Sequence, residues 1–351
     1  MASTPPITLG RGLGIDFGTS HSRVSYFNPP TNTSALLRFR DYDDLRQYSI
    51  PSVIVWNGDH WLFGYEAEEF RSSSSWNPRH CAEHRSLKRQ IFPSTSPSTL
   101  SAPGGASISL DEALGELLRY VVRLSDEALR ARFEGFELQR SSINVSVPVL
   151  FDDVARRRLL KAYHVALGRE GEPSLIVNEP TAAAFAAYRY ARPADFPEGG
   201  TVIFDAGAGS TDITVFNRVG QRLFVLGATA AAAGGDDIDS CLLGLIATKL
   251  RKELPSVPAD LHSLLDAQIA QIRASKERLS TEIEDLCVIV PKQIVVLRSE
   301  FEASLEAEVR RMLLPLEFAL RGACNGDRTF RVDRIILTGG SSYRLFVEVS
   351  G

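Results

Sequence analysis

Cysteine is scarce and scattered in this 351-residue chain: Cys81, Cys241, Cys287 and Cys324 stand far apart and form no Cys-x-x-Cys pair. That pattern excludes a disulfide scaffold and fits a reducing compartment better. An excess of positive charge is also missing. With 39 Lys and Arg against 43 Asp and Glu, the formal net charge of −4 offers no general attraction to nucleic-acid backbones or anionic membranes. Nowhere do about eighteen apolar residues run together, so no membrane-spanning helix is expected. Residues 1–10 lack the basic stretch and apolar core of a secretory leader. The expected location is therefore cytoplasmic, with the nucleus not distinguished from it. His80 and His84 flank Cys81 at a spacing that could ligate zinc if helical, but no second ligand pair exists, and a surface segment is expected there. The basic run Arg156-Arg157-Arg158 with Lys161 reads as the solvated face of a helix.

What is present is a repeat. Asp16-Phe-Gly18-Thr19-Ser20-His21-Ser22-Arg-Val24-Ser25-Tyr-Phe27 recurs without a gap, 189 residues later, as Asp205-Ala-Gly207-Ala208-Gly209-Ser210-Thr211-Asp212-Ile213-Thr214-Val-Phe216. Each copy follows an apolar run, turns at Asp-x-Gly and leaves in alternating order, which predicts a strand, a tight turn and a returning strand. Glycine lets such a turn aim successive amide N–H groups at one anion, so the turn can cradle a phosphate while the aspartate faces a bound metal. A lone Asp-x-Gly hairpin is commonly no more than a backbone turn; the second copy weakens that reading. A third glycine element, Thr338-Gly339-Gly340-Ser341-Ser342, follows another apolar run.

At 351 residues, with 44% hydrophobic and 23% charged residues, the chain should form two domains or lobes. Residues 93–107 are rich in Ser, Thr, Pro and Gly and read as a mobile surface loop. Helices are expected over 111–133, about 151–167, 182–190 after Pro180, after the 234–239 segment, over 260–280, and over 301–321 with an interruption near Pro315. Strands are expected at 143–149 and 174–177. Residues 192–200 read as the linker, so the second lobe would start near Thr201.

The ordered set is specific: Gly14-Ile-Asp16-Phe-Gly-Thr-Ser20, Val147-Pro148-x-x-Phe151, Asn178-Glu-Pro-Thr-Ala-Ala-Ala184, Asp205-x-Gly-x-Gly-Ser-x-Asp212, Gly234-Gly-Asp-Asp-x-Asp239 and Leu337-Thr-Gly-Gly-Ser-Ser342. It resembles the nucleotide-binding domain of the seventy-kilodalton heat-shock chaperone family, in the actin, hexokinase and heat-shock superfamily, from about Gly12 to Ser342. The resemblance implies an α/β, two-lobed actin-like ATPase fold with ribonuclease H-like duplicated lobes, each a mixed sheet flanked by helices, lobe I over 11–200 and lobe II over 201–351. It further implies ATP or ADP and Mg²⁺ in the cleft. Asp16 and Asp205 would hold the hydrated magnesium. Thr19, Ser20, Gly207, Ala208, Gly209 and Ser210 would contact the phosphates beside Gly18. Lys88 aligns with the family's catalytic lysine, and Glu179 would orient the attacking water, with Asp205 and Ser210 assisting. Gly339, Gly340, Ser341, Lys276 and Ser280 would flank the adenosine. Without the resemblance, Lys88 reads as a surface lysine and Glu179 as a helix-start acid stabilised by the dipole.

Departures from the family pattern concern Arg273, where an acid is common, Glu277, where a basic residue is common, and Ala208, which is tolerable only with negative φ. His21 could add pH sensitivity or be a plain turn residue, and Asp212 could act in the site or polarise the outer face of its strand. The family's lobe II continues past the Gly-Gly-Ser element and is followed by a peptide-binding domain, so this chain is expected to be a shortened form without that domain. Three functions stay open: a chaperone-like ATPase that hydrolyses slowly and signals co-chaperones or other protein partners by lobe closure and opening; a nucleotide-binding scaffold with little turnover; and a small-molecule phosphotransferase, for which no acceptor-side carboxylate stands out. Nucleic acid and membrane are not expected partners, and the oligomeric state is left open.

Overall fold

Leu13 and Ile15 are buried while Gly12, Gly14 and Asp16 are half-buried, the period-2 alternation that makes β1 (Gly12–Asp16) a strand with one face in the core. It turns through residues 17–20 into β2 (His21–Asn28), which continues antiparallel to β3 (Thr33–Leu36). These elements belong to a computed structural model that describes residues 12–28, 31–42, 45–92, 99–138, 142–168, 175–190, 198–253, 265, 268–289, 292–325 and 330–342. The chain divides into two compact units, Met1–Ala182 and Ala183–Gly351.

In the first unit the short strands β4 (Ile50–Pro51), β5 (Ile54–Trp56) and β6 (Trp61–Phe63) lead into α1 (Gly64–Arg71). After β7 (Ala82–His84) comes the single-turn helix α2 (Leu87–Ile91). A hairpin of β8 (Thr99–Ser101) and β9 (Ser107–Ser109) follows, where the sequence predicts a loop. Leu100 and Ile108 face each other in register and are both buried, so two apolar side chains suffice to anchor a polar segment. Residues 93–98 of that segment lie outside the described ones.

The long helix α3 (Leu110–Arg132) buries Leu114, Leu117, Leu118, Val121, Val122 and Leu129, the stripe that helical spacing predicts. Its N-cap is Ser109, whose hydroxyl accepts from Glu112 N at 3.1 Å. Replacing Ser109 with Ala should cost about 1 kcal/mol, a fall of about 2–4 °C in Tm by calorimetry for a unit of this size. β10 (Ser142–Val147), α4 (Asp153–Leu167), β11 (Leu175–Asn178) and the start of α5 (Glu179–Tyr190) complete the unit. Its six-stranded sheet runs β11-β10-β1-β2-β3 with β4 beside β2; β10 is parallel to β1, and β11 is parallel to β10. The basic run is not simply solvated. Arg156 donates from Nε to Phe151 O at 3.0 Å and from Nη2 to Asn178 Oδ1 at 2.8 Å, and Arg158 pairs with Asp111.

The second unit repeats the plan. β12 (Gly199–Ala206), β13 (Thr211–Val219) and β14 (Arg222–Ala231) form an antiparallel meander. After α6 (Gly235–Glu253), α7 (Ile269–Leu279), the β15 (Glu284–Ile289) and β16 (Lys292–Leu297) ribbon and α8 (Arg298–Cys324), strand β17 (Val332–Thr338) returns parallel to β12, giving the order β14-β13-β12-β17. The second meander therefore begins at Gly199, two residues before the expected start of the lobe. Residues 191–197, most of the expected linker, and 254–264 lie outside the described residues. Pro315 does not interrupt α8: the helix packs along β14 with Met312, Pro315 and Ala319 buried, and that burial offsets the ladder bond a proline forfeits.

Candidate functional site

Corresponding residues of the two hairpins pair in the same register. Leu13 opposes Tyr26, Ile15 opposes Val24 and Asp16 opposes Arg23 in the first; Val202 opposes Val215, Phe204 opposes Ile213 and Asp205 opposes Asp212 in the second. Each of these pairs is displaced by the 189 residues that separate the sequence copies. In both units the aspartate-bearing strand is flanked by its antiparallel partner on one side and by a parallel strand from later in the chain on the other. The duplication is thus one of backbone pairing as well as of residue type.

Within the first unit, Asp16 ends β1 and its Oδ1 accepts from Ser146 Oγ at 3.0 Å, a contact delivered by β10. A Cβ at Gly18 would lie 2.1 Å from His21 O, so only glycine fits the turn. Thr19 is buried, and Ser20 Oγ shares a hydrogen bond of 2.9 Å with His21 Nδ1. Lys88 is not a surface residue. Leu87 and Ile91, four apart and fully buried, pin the short helix α2, and Ser86 before it adopts a left-handed φ of 55° that serine seldom takes. The lysine is carried inward, its side chain 7% exposed, and Nζ donates to Oε1 of Glu179, 91 residues away and 15% exposed. Glu179 itself opens α5 directly after β11, where the helix N-terminus favours negative charge. Arg156 braces the preceding residue, Asn178.

In the first unit's core lies Tyr163 of α4, fully buried, its hydroxyl without a hydrogen-bond partner among the described residues. Burial first, then the Asp16 and Glu179 carboxylates, hold its pKa well above the usual phenol value, so it remains a donor.

Within the second unit three glycine-bearing segments, at 205–210, 234–236 and 339–341, converge. Ala206 O, at the end of β12, accepts from Ser341 N at 3.0 Å; Gly207 O accepts from Gly235 N at 3.0 Å and Ser341 Oγ at 2.9 Å; Ala208 O accepts from Asp236 N at 2.8 Å. The turn is closed by Gly207 N donating to Ser210 O at 2.9 Å. Ala208 is not among the residues with positive φ, which is the condition for an alanine there. Gly339 has φ +84°, and a Cβ on it would lie 2.3 Å from Ala206 O and 2.5 Å from Asp205 Oδ1. Asp212 is 2% exposed and accepts from Ser210 Oγ at 2.8 Å, so it does not polarise an outer face. It stands directly opposite Asp205, an arrangement of like charges that costs stability unless a cation or donors compensate. Lys276 and Arg273 of α7 both pair with the buried Asp239, the latter from Nε at 2.9 Å. Ser280 is engaged with the carbonyl of Glu277, and Glu277 is exposed. Gly209 lies in the same turn, and Gly340 has open space around its Cβ position.

The histidine pair has no metal-site geometry. His84 lies in β7, its Nε2 3.0 Å from Ser101 O, and His80 is in a turn, so the helical spacing is absent; among the described residues no cluster of three ligating side chains occurs. No described helix is long and apolar enough to cross a membrane. Three residues escaped sequence reasoning. Ser146 and Tyr163 carry no local signal, and Arg156 sits in a run that composition alone reads as solvent-facing.

The comparisons agree with this geometry. A family model described as Hsp70 protein matches residues 134–345. A chaperone protein HscA homolog of Vibrio vulnificus is 28% identical over 364 residues, covering 99% of this chain and 54% of its own. One from Acidithiobacillus ferrooxidans is 30% identical over 94% of this chain and 52% of its own length, and chaperone protein HscA of Serratia proteamaculans is 28% identical over 97% and 53%. The chain thus spans about half the length of the curated relatives it matches. With the mixed sheets flanked by helices and a family model over more than half its residues, the chain belongs to the Hsp70 family.

Proposed function

We propose that the chain is a chaperone-like ATPase in which residues of both units serve one Mg-ATP, with slow hydrolysis coupled to closing and opening of the lobes and read by co-chaperones or other protein partners. The observation that carries this reading is the shared register of the two hairpins, each with an aspartate at or next to the end of its first strand and a glycine in the turn.

The residues fit such a ligand. At Gly18 and Gly339 a side chain would collide with backbone, as expected where a turn must stay open to a phosphate or a nucleoside. Hydroxyl and amide donors of Thr19, Ser20, Gly207, Ala208, Gly209 and Ser210 suit phosphate oxygens. Asp16 and Asp205 suit a magnesium ion that keeps its waters, since carboxylates can then act through those waters. When bound, the ion neutralises charge on the phosphates, which is the main electrostatic demand of phosphoryl transfer. Lys88, held inward by Glu179, supplies a positive charge at low exposure, and Glu179 is fixed so that its carboxylate can orient a water. Lys276, Ser280, Gly339, Gly340 and Ser341 are the proposed nucleoside side.

The test is hydrolysis by the purified chain. ATP consumption that requires Mg²⁺ supports the proposal. A thermal shift without turnover points to a scaffold, and consumption only on adding a sugar or carboxylic acid points to a phosphotransferase.

A further inference from the structure

Asp239 stands one turn into α6 with its side chain only 8% exposed, and both of its carboxylate oxygens face cations of α7. Arg273 donates from Nε to Oδ2 at 2.9 Å, and the Lys276 ammonium pairs with Oδ1. No other partner reaches the buried Oδ1 among the described residues, so that ammonium is what offsets its burial. Arg273 and Lys276, three apart, share a face of α7, while Ile272, Ser275 and Leu279 are buried on its other side. A guanidinium is a rigid fork and an ammonium a mobile point charge, so the first suits bracing the carboxylate and the second suits meeting a ligand.

The start of α6 is itself seated on the turn at 207–210. Gly207 O accepts from Gly235 N at 3.0 Å and Ala208 O from Asp236 N at 2.8 Å. A Cβ at Gly234 would lie 2.7 Å from Ala208 O, which shows how closely this backbone abuts the turn. Turn, helix start, Asp239 and Lys276 thus form one connected series of contacts within the second unit.

We propose that Asp239 is a positioning residue that sets the Lys276 ammonium at a fixed place relative to the 207–210 turn, with Arg273 orienting the carboxylate for it. The inference deepens the nucleotide reading and rests on it. A lysine already held in place loses less rotamer freedom when the ligand arrives, which favours affinity. Contacts on the nucleoside side are alike before and during phosphoryl transfer, so the effect falls on binding and not on the chemical step.

Isothermal titration of Mg-ADP compares the wild type with Asp239→Asn, Lys276→Gln and the double variant. Each single substitution weakens binding about tenfold. The double variant is about as weak as Lys276→Gln alone, because Asp239 acts through that lysine. In hydrolysis, KM for Mg-ATP rises in Asp239→Asn while kcat keeps the wild-type value, a split that loss of folded protein does not produce. Should Asp239→Asn fail to fold, Arg273→Gln takes its place, its side chain being 32% exposed. It weakens Mg-ADP binding about threefold in the wild-type background and not at all beside Lys276→Gln. Wild-type affinity in the single variants, or losses that multiply when they are combined, overturns the proposal alone. A wild type that binds no nucleotide overturns the nucleotide reading and this inference with it.

Discussion

Lys88→Ala is expected to lower Mg-ATP hydrolysis by about 100- to 1,000-fold, the range for removing one preorganised electrostatic group from an active site. The same substitution should destabilise the first unit, because it removes the ammonium partner of Glu179 in a pair exposed by only 7% and 15%. Breaking a buried pair costs about 3–5 kcal/mol; partial exposure on the Glu179 side puts the expectation nearer 2–3 kcal/mol. The two effects separate in a double-mutant cycle. Lys88→Ala with Glu179→Ala removes both charges, so part of the lost stability returns while turnover does not. Urea unfolding measures the first and single-turnover hydrolysis the second. Unchanged turnover in Lys88→Ala would reject the role given to this lysine.

The second large effect distinguishes two adjacent glycines. Gly339→Ala forces a side chain into a left-handed backbone with φ +84° and sets a Cβ 2.3 Å from Ala206 O and 2.5 Å from Asp205 Oδ1. The Ala206 oxygen cannot retreat cheaply, because it is backbone at the end of β12. The expected cost is at least about 2–4 kcal/mol, adding dihedral strain to collision, together with loss of the thermal shift by nucleotide. Gly340→Ala has nothing within 4 Å of its Cβ and no positive φ, so its stability should stay within about 0.5 kcal/mol of the wild type. Equal behaviour of the two variants in thermal unfolding would contradict the account of the Gly-Gly-Ser element.

Local patterns carried much of the fold into view. The hairpins were legible because strand, turn and return lie within about a dozen residues, and α3 because a long amphipathic period survives without any knowledge of its neighbours. What stayed hidden depends on distant partners. Leu100 and Ile108 make a hairpin out of a segment whose composition argues for a loop, since two opposed apolar residues are enough once a core receives them. Pro315 fails to break α8 because the helix is held along a sheet, a tertiary effect that outweighs local preference. The pairing of Lys88 with Glu179 spans 91 residues, and nothing near either residue announces it. Asp212 likewise reads as a strand residue of either face until the register sets it opposite Asp205.

The partners of the residues proposed for the nucleoside side were equally opaque. Arg273 stands where the family pattern commonly has an acid, and with Lys276 it pairs with Asp239. A carboxylate shared by two cations is a positioning device, and it keeps both long side chains from sampling other rotamers.

Isothermal titration of Mg-ATP into the wild type, Asp16→Asn and Asp205→Asn tests the central claim most directly, because the two aspartates belong to different units. The account predicts one nucleotide per chain, and an affinity at least about tenfold weaker in each single variant. Wild-type affinity retained in both variants, or two independent sites each abolished by only one of them, would contradict it.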